Sequence, residues 1–200
     1  TISGISESTP CLPLTDYEVT KYELEKFILS DSHNGLDVAV LRPTAVVGVG
    51  SKNLVKLSGQ LINSSRITNY FRSSLFGNRP MHLVPVQMVY EALIHLIFLP
   101  NPLSKQVYIV AADLDADNNF NKVEKLLREA LGINQRKVPL IPFPQFFLRL
   151  LLRLLGRKDF SLSRNYRTDK LQSTGFQTTS SVGSAVMSFG TNFKNSKLKE

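Results

Sequence analysis

The alternation of apolar and polar positions changes period several times along this chain, and each change predicts an element. Thr15-Asp16-Tyr17-Glu18 has the form of a capping box, in which the threonine oxygen takes an amide one turn on and the glutamate reaches back to the cap amide. The spacing after it predicts a helix to about Leu29, with Asn34-Gly35 closing it. Leu36–Leu41 is β-branched and largely apolar, as a parallel strand covered on both faces would be. Pro43, Gly48 and Gly50 then predict a loop, and Ser6–Leu14, with its prolines, another. Helices are expected around Asn53–Ile62 and Asn69–Leu75, a turn at Gly77-Asn78-Arg79-Pro80, and a short strand at Met81–Val86. Helical spacing returns through Val89, Leu93, Leu96 and Ile97 within Gln87–Leu99, followed by a strand at Gln106–Ala111 and an amphipathic helix, Asn119–Leu131, ending at Gly132. Val138–Pro144 reads as a connector and Gln145–Leu155 as a strongly apolar helix. From Gln177 the chain is rich in Ser, Thr and Gly and then basic, so a flexible tail is expected over 177–200.

Helix and strand in alternation imply an α/β fold with a parallel sheet. Two or three strands are too few for it, because a buried strand such as 36–41 needs a hydrogen-bonded neighbour on each side. The expectation is therefore a fragment whose missing strands precede Thr1.

Composition narrows the class. At 42% hydrophobic and 20% charged, the chain is ordinary for a packed domain, and wholesale disorder is excluded. One cysteine, Cys11, makes no internal disulfide, and three histidines without Cys partners make no zinc site, so no metal is expected and a cytoplasmic location is. The net charge of +8 is uneven: residues 1–135 hold 12 Lys/Arg against 13 Asp/Glu, whereas 136–200 hold 12 against 3. Such a block suits an anionic partner: nucleic acid, lipid or a phosphorylated substrate.

Chemistry enters with tyrosine four residues before lysine. One helical turn puts both side chains on one face, where an ammonium stabilises a phenolate and makes tyrosine a usable acid/base. Three such pairs occur: Tyr17/Lys21, Tyr22/Lys26 and Tyr166/Lys170. Tyr17 and Lys21 continue into Leu24 and Ile28, a stripe expected to face the interior, where a lysine demands a partner. Tyr22 and Lys26 share their face with Glu18 and Leu29, which reads as solvated, and Tyr166/Lys170 lies in a charged stretch. The first pair is the one expected to be a site.

These residues carry a resemblance. Tyr17-Glu18-Val19-Thr20-Lys21 with Glu25, then the strand, then Arg42-Pro43-Thr44-Ala45-Val46-Val47-Gly48-Val49-Gly50, resembles the second half of an extended short-chain dehydrogenase/reductase, most nearly the NAD-dependent epimerase/dehydratase family of nucleotide-sugar enzymes. Met81–Val89 is similar to that family's strand-to-helix stretch, and Thr168–Phe176 to its C-terminal element. The resemblance implies the C-terminal part of a Rossmann-like doubly wound parallel sheet over 1–135, with interleaved segments of a substrate lobe, and a basic, largely helical lobe over 136–176. It also implies hydride transfer with NAD or NADP, a nucleotide-sugar substrate and a homodimer when complete. Tyr17 would be the acid/base and Lys21 would hold the nicotinamide ribose. Pro43, Thr44 and Val47 would line the nicotinamide end of the cofactor, and Thr44, Arg79 and His82 would meet substrate. Glu25 would steady the helix surface.

Departures are equally plain. The family's Gly-x-x-Gly-x-x-Gly loop, whose amides approach the pyrophosphate, is absent, and so is a Ser/Thr about two dozen residues before the tyrosine. Glu18 replaces a small residue, and Gln87 and Met88 replace acidic ones. An extended reductase of acyl thioesters shares the Leu-Val-Pro-Val stretch and is an alternative. A non-catalytic domain lying on anionic lipid is another, since Arg149, Arg153 and Arg157 form a ridge on the apolar helix. That helix is too short to span a bilayer, and the reading taken is a lobe helix whose arginines reach solvent or a diphosphate. Nucleic acid is not expected, because no recognition helix, finger or stacking surface is present. His95, on an apolar helix, is expected to be structural.

Overall fold

The computed structural model describes residues 4–30, 35–136, 138–141 and 165–197. Over these the chain is α/β with short parallel strands. β1 (Gly4–Ile5) is followed by α1 (Asp16–Leu29), β2 (Ala39–Pro43) and β3 (Ala45–Val47). Then come α2 (Lys52–Asn63), α3 (Arg66–Phe76), β4 (Leu83–Pro85), α4 (Val86–Ile97), β5 (Gln106–Val110) and α5 (Phe120–Leu131). β6 (Asn165–Tyr166), α6 (Asp169–Ser173) and α7 (Val182–Lys197) complete it. The apolar helix expected at Gln145–Leu155, with Arg149, Arg153 and Arg157, lies outside the described residues. No helix among the described residues is long and apolar enough to cross a membrane.

The strands pair as β1 with β6, β2 with β5 and β3 with β4, all parallel. β2 and β3 are successive parts of one extended stretch that changes partner at Thr44. The Thr44 amide donates to the Val110 carbonyl (3.0 Å), continuing the β5 ladder, and the next amide, Ala45, donates to the His82 carbonyl (2.9 Å), opening the β4 ladder. Residues 45–47, expected in a loop, are therefore strand. Pro43 does not prevent this, since it lacks only a donor and its carbonyl remains available.

Because side chains alternate across a strand, neighbours on β4 serve different cores. Leu83 joins Val47, Leu54, Leu57, Val123 and Leu127, while Val84 joins Met88, Ala92, Tyr108, Val110 and Leu171. Asn118 locks β4 to the loop after β5. Its Oδ1 accepts from the Leu83 amide (2.9 Å), and its Nδ2 donates to the carbonyls of Leu83 and Ala112, each at 2.8 Å.

Helix termini follow the sequence closely. Thr15 Oγ1 accepts from the Glu18 amide (3.3 Å) and Glu18 Oε2 accepts from the Leu14 and Thr15 amides (2.9 Å each), so the unusual residue after Tyr17 caps the helix. The helix stops at Leu29 as expected, but its cap is Ser30, whose amide donates to the Phe27 carbonyl, and not the Asn34-Gly35 expected to close it. Asn119 caps α5 and Gly132, with φ 73°, closes it in the left-handed conformation.

The expected tail is instead helical over Val182–Lys197. Val182, Val186 and Phe189 are buried at helical spacing, in the same core as Leu127. Small residues permit the approach, since a Cβ on Gly190 would fall 2.5 Å from the Ala130 Cβ. Asp115 Oδ2 accepts from the Val182 amide (2.7 Å), putting a carboxylate at the positive end of the helix.

Candidate active site

α1 is turned differently from expectation. It buries no residue, and Tyr17, Lys21 and Leu24 lie on its exposed side, with Tyr17 72% exposed. The side toward the sheet carries Tyr22, Glu25 and Leu29, which with Cys11 and Arg42 line a cavity of about 480 Å³. The cause is an ion pair: Arg42 on β2 donates from Nε to Glu25 Oε2 (2.9 Å) and from Nη2 to Glu25 Oε1 (2.5 Å). The bidentate pair holds the Arg42 guanidinium above its ordinary pKa and anchors the helix to the strand. Tyr22 and Leu29, on the face read as solvated, thus turn toward the sheet beside the Glu25–Arg42 pair, and Lys21 is not a buried charge.

Tyr17 and Lys21 nevertheless stay together, with Lys21 Nζ 5.8 Å from the Tyr17 ring centre. Lys26 sits closer to Tyr22, at 4.4 Å, and also donates to Glu23 (3.0 Å). The third pair is divided: Lys170 donates to Gln106 Oε1 (2.7 Å) and stacks over Tyr108, while Tyr166 packs on His82.

At the carboxyl ends of β2 and β5, Pro43 is exposed and Thr44 carries a buried, unpartnered Oγ1. Val47 is 1% exposed, so its side chain belongs to the core, and its backbone is paired with Pro85 in the β3/β4 ladder. His82 is brought beside Thr44 by the strand switch. Arg79 stands apart, half-buried over the Phe76 ring (5.9 Å), with its backbone bonded to Phe76 and Phe120. His95 donates to or accepts from Thr174 Oγ1 (2.8 Å) and packs edge-on to Phe176, a structural arrangement.

Sequence reasoning missed Asp113. Three residues beyond β5, its side chain is 1% exposed and lies 2.8 Å from His82 Nδ1 through Oδ2, the same oxygen that accepts from the Tyr166 amide (2.7 Å). These contacts span 31 and 53 positions, so no local pattern announces them.

Glu124, fully buried on α5, accepts from Arg128 Nε (2.8 Å) and from the Ser73 hydroxyl, with Arg136 Nη2 at 3.2 Å. Burial pulls the Arg136 pKa down, against the pull of Glu124. This cluster neutralises a carboxylate between α3 and α5 and is a packing element. No group of His, Cys, Asp and Glu among the described residues has the arrangement of a metal site.

With this geometry in view, the fold can be placed among known proteins. No family model matches the chain, and no curated protein matches it in sequence. Solved structures do match. RMD from Pseudomonas aeruginosa, complexed with NADPH, superposes with a TM-score of 0.62 at 15% identity, covering 95% of this chain and 60% of that one. A nucleoside-diphosphate-sugar epimerase from Pseudomonas aeruginosa gives 0.53 at 15%, covering 96% and 57%. A functionally unknown conserved protein from Silicibacter pomeroyi gives 0.55 at 15%, covering 94% and 60%. The chain has the α/β fold of these proteins and spans about 60% of their length. At such identity the likeness concerns the fold.

Proposed function

We propose that this chain is the C-terminal part of an NAD(P)-dependent epimerase, dehydratase or reductase acting on a nucleotide sugar. The observation that carries the reading is the Tyr17/Lys21 pair, held on one uncovered face of a helix in a fold shared with RMD and a nucleoside-diphosphate-sugar epimerase. Tyr17 Oη takes the proton of a sugar hydroxyl as its carbon is oxidised, and returns it in the reverse direction. Lys21 stabilises the phenolate and contacts the nicotinamide ribose. Bound NAD(P) supplies the hydride acceptor or donor.

The residues present fit one end of such a cofactor. Thr44 Oγ1, buried without a partner beyond the carboxyl end of β2, lies where parallel α/β sheets bind ligands. Pro43 flanks it. The pyrophosphate would need an amide cradle, and the sequence holds no Gly-x-x-Gly-x-x-Gly to form one. On the substrate side, Thr44 and His82 form one wall, and Arg79 serves the diphosphate only if its side chain leaves Phe76.

The test is incubation of the complete protein with cofactor and a panel of nucleotide sugars, following nicotinamide absorbance and analysing the sugar by mass spectrometry and NMR. Hydride transfer to or from a sugar carbon is expected. A protein that binds cofactor and leaves every nucleotide sugar unchanged would overturn the reading.

A further inference from the structure

His82 is held more tightly than a strand-end histidine requires. Its φ of 52° lies in the left-handed region, which costs a non-glycine residue free energy and persists only when the surroundings enforce it. The enforcement is visible. The His82 carbonyl accepts from Ala45, Nδ1 meets Asp113 Oδ2 at 2.8 Å, and the Tyr166 ring packs edge-on at 5.2 Å. An Asp113 oxygen that already accepts from the Tyr166 amide accepts from Nδ1 as well, so Nδ1 carries the proton. Nε2 is then an acceptor in the neutral ring, and the hydrogen bonds of His82 to the described residues leave it open.

Two further buried oxygens at the same sheet end lack partners, Asp113 Oδ1 and Thr44 Oγ1. Buried polar atoms are nearly always satisfied, so these two oxygens call for partners from outside the described residues. The location, beyond the carboxyl ends of β2 and β5, is where ligands enter parallel sheets.

We infer that Asp113 is a positioning residue that fixes His82 in the Nδ1-protonated tautomer, so that Nε2 accepts a hydrogen bond from a hydroxyl of the sugar ring. The inference deepens the nucleotide-sugar reading and rests on it for the identity of the ligand, whereas the tautomer stands on the geometry alone. Carboxylates orient catalytic and metal-binding imidazoles by the same second bond. Here the oriented atom selects for a donor hydroxyl, and the loop after β5, locked by Asn118, sets its position.

The experiment uses the complete protein with ¹⁵N-labelled histidine. In the neutral ring the His82 nitrogens should report the Nδ1-protonated form, and Asp113→Ala should abolish that preference. Because Asp113→Ala also frees the Tyr166 amide, Asp113→Asn serves as a second variant that keeps an acceptor and the side-chain volume. An Nε2-protonated His82 in the unaltered protein overturns the positioning claim. UDP-glucose, UDP-galactose and UDP-N-acetylglucosamine are then added in turn, with UDP as the reference. At least one sugar should move the Nε2 resonance where UDP does not, and His82→Ala should raise KM for that sugar about tenfold or more while cofactor affinity is unchanged. Nε2 unmoved by a sugar that binds, or a KM that His82→Ala leaves alone, overturns the ligand contact. Failure of these and of every other nucleotide sugar of the panel to bind overturns the nucleotide-sugar reading and the ligand contact together, leaving the tautomer result to judge Asp113 separately.

Discussion

Arg42 and Glu25 join β2 to the helix that carries Tyr17, through two charge-assisted hydrogen bonds of 2.9 and 2.5 Å. With side chains 25% and 14% exposed, the pair is only partly screened. Removing either partner leaves the other in a half-buried setting, so Glu25→Ala and Arg42→Ala should each destabilise by about 1–3 kcal/mol. The double variant should lose less than the sum, as measured by urea unfolding of all four proteins. Strict additivity would mean that the contact contributes nothing.

The amino end of the same helix depends on pH. Amides of Leu14 and Thr15 hold the Glu18 carboxylate below its ordinary pKa of 4.5. A group whose pKa is lowered by folding stabilises the folded state above its unfolded value, and that contribution is lost as pH falls through the folded value. The protection of the Leu14 and Thr15 amides, taken relative to their intrinsic exchange rates at each pH, should therefore fall only below about pH 4.5, and Glu18→Gln should remove the pH step. A step unchanged in Glu18→Gln would assign it to another group.

Packing of α7 on α5 gives a paired test. Gly190→Val places atoms where Ala130 already sits and should destabilise by about 1–3 kcal/mol or more. Gly59, inside α2 with open space around it, is the control: Gly59→Ala should be neutral or stabilising by up to about 1 kcal/mol. Thermal unfolding separates the two, and equal effects would contradict the close approach.

What the sequence made legible was largely local. The Thr15 capping box, Asn119 and Gly132 each act within one helical turn, so α1 and α5 could be read with their ends. α7 escaped because Ser, Thr and Gly dominate its composition, although Val182, Val186, Phe189 and Phe193 keep helical spacing within it. The facing of α1 escaped for a different reason. Periodicity identifies its stripes, but Glu25 reads only as a residue that steadies the helix surface, and its partner Arg42 is 17 positions away. Of the candidate site, Tyr17, Lys21, Thr44 and His82 can be proposed from the sequence through their resemblance to a known pattern. Asp113 cannot, since its contacts with His82 and the Tyr166 amide form only where the ends of β4, β5 and β6 meet.

The turning of α1 also sharpens the central question, because Tyr17 and Tyr22 each precede a lysine by one helical turn and point to different sides. The most direct measurement is single-turnover hydride transfer by the complete protein carrying Tyr17→Phe or Tyr22→Phe, with cofactor affinity measured alongside. Tyr17→Phe should slow transfer by about a hundredfold or more at nearly unchanged cofactor affinity, and Tyr22→Phe should leave transfer within about twofold. Near-normal transfer in Tyr17→Phe, or a larger loss in Tyr22→Phe, would contradict the assignment of Tyr17 as the acid/base.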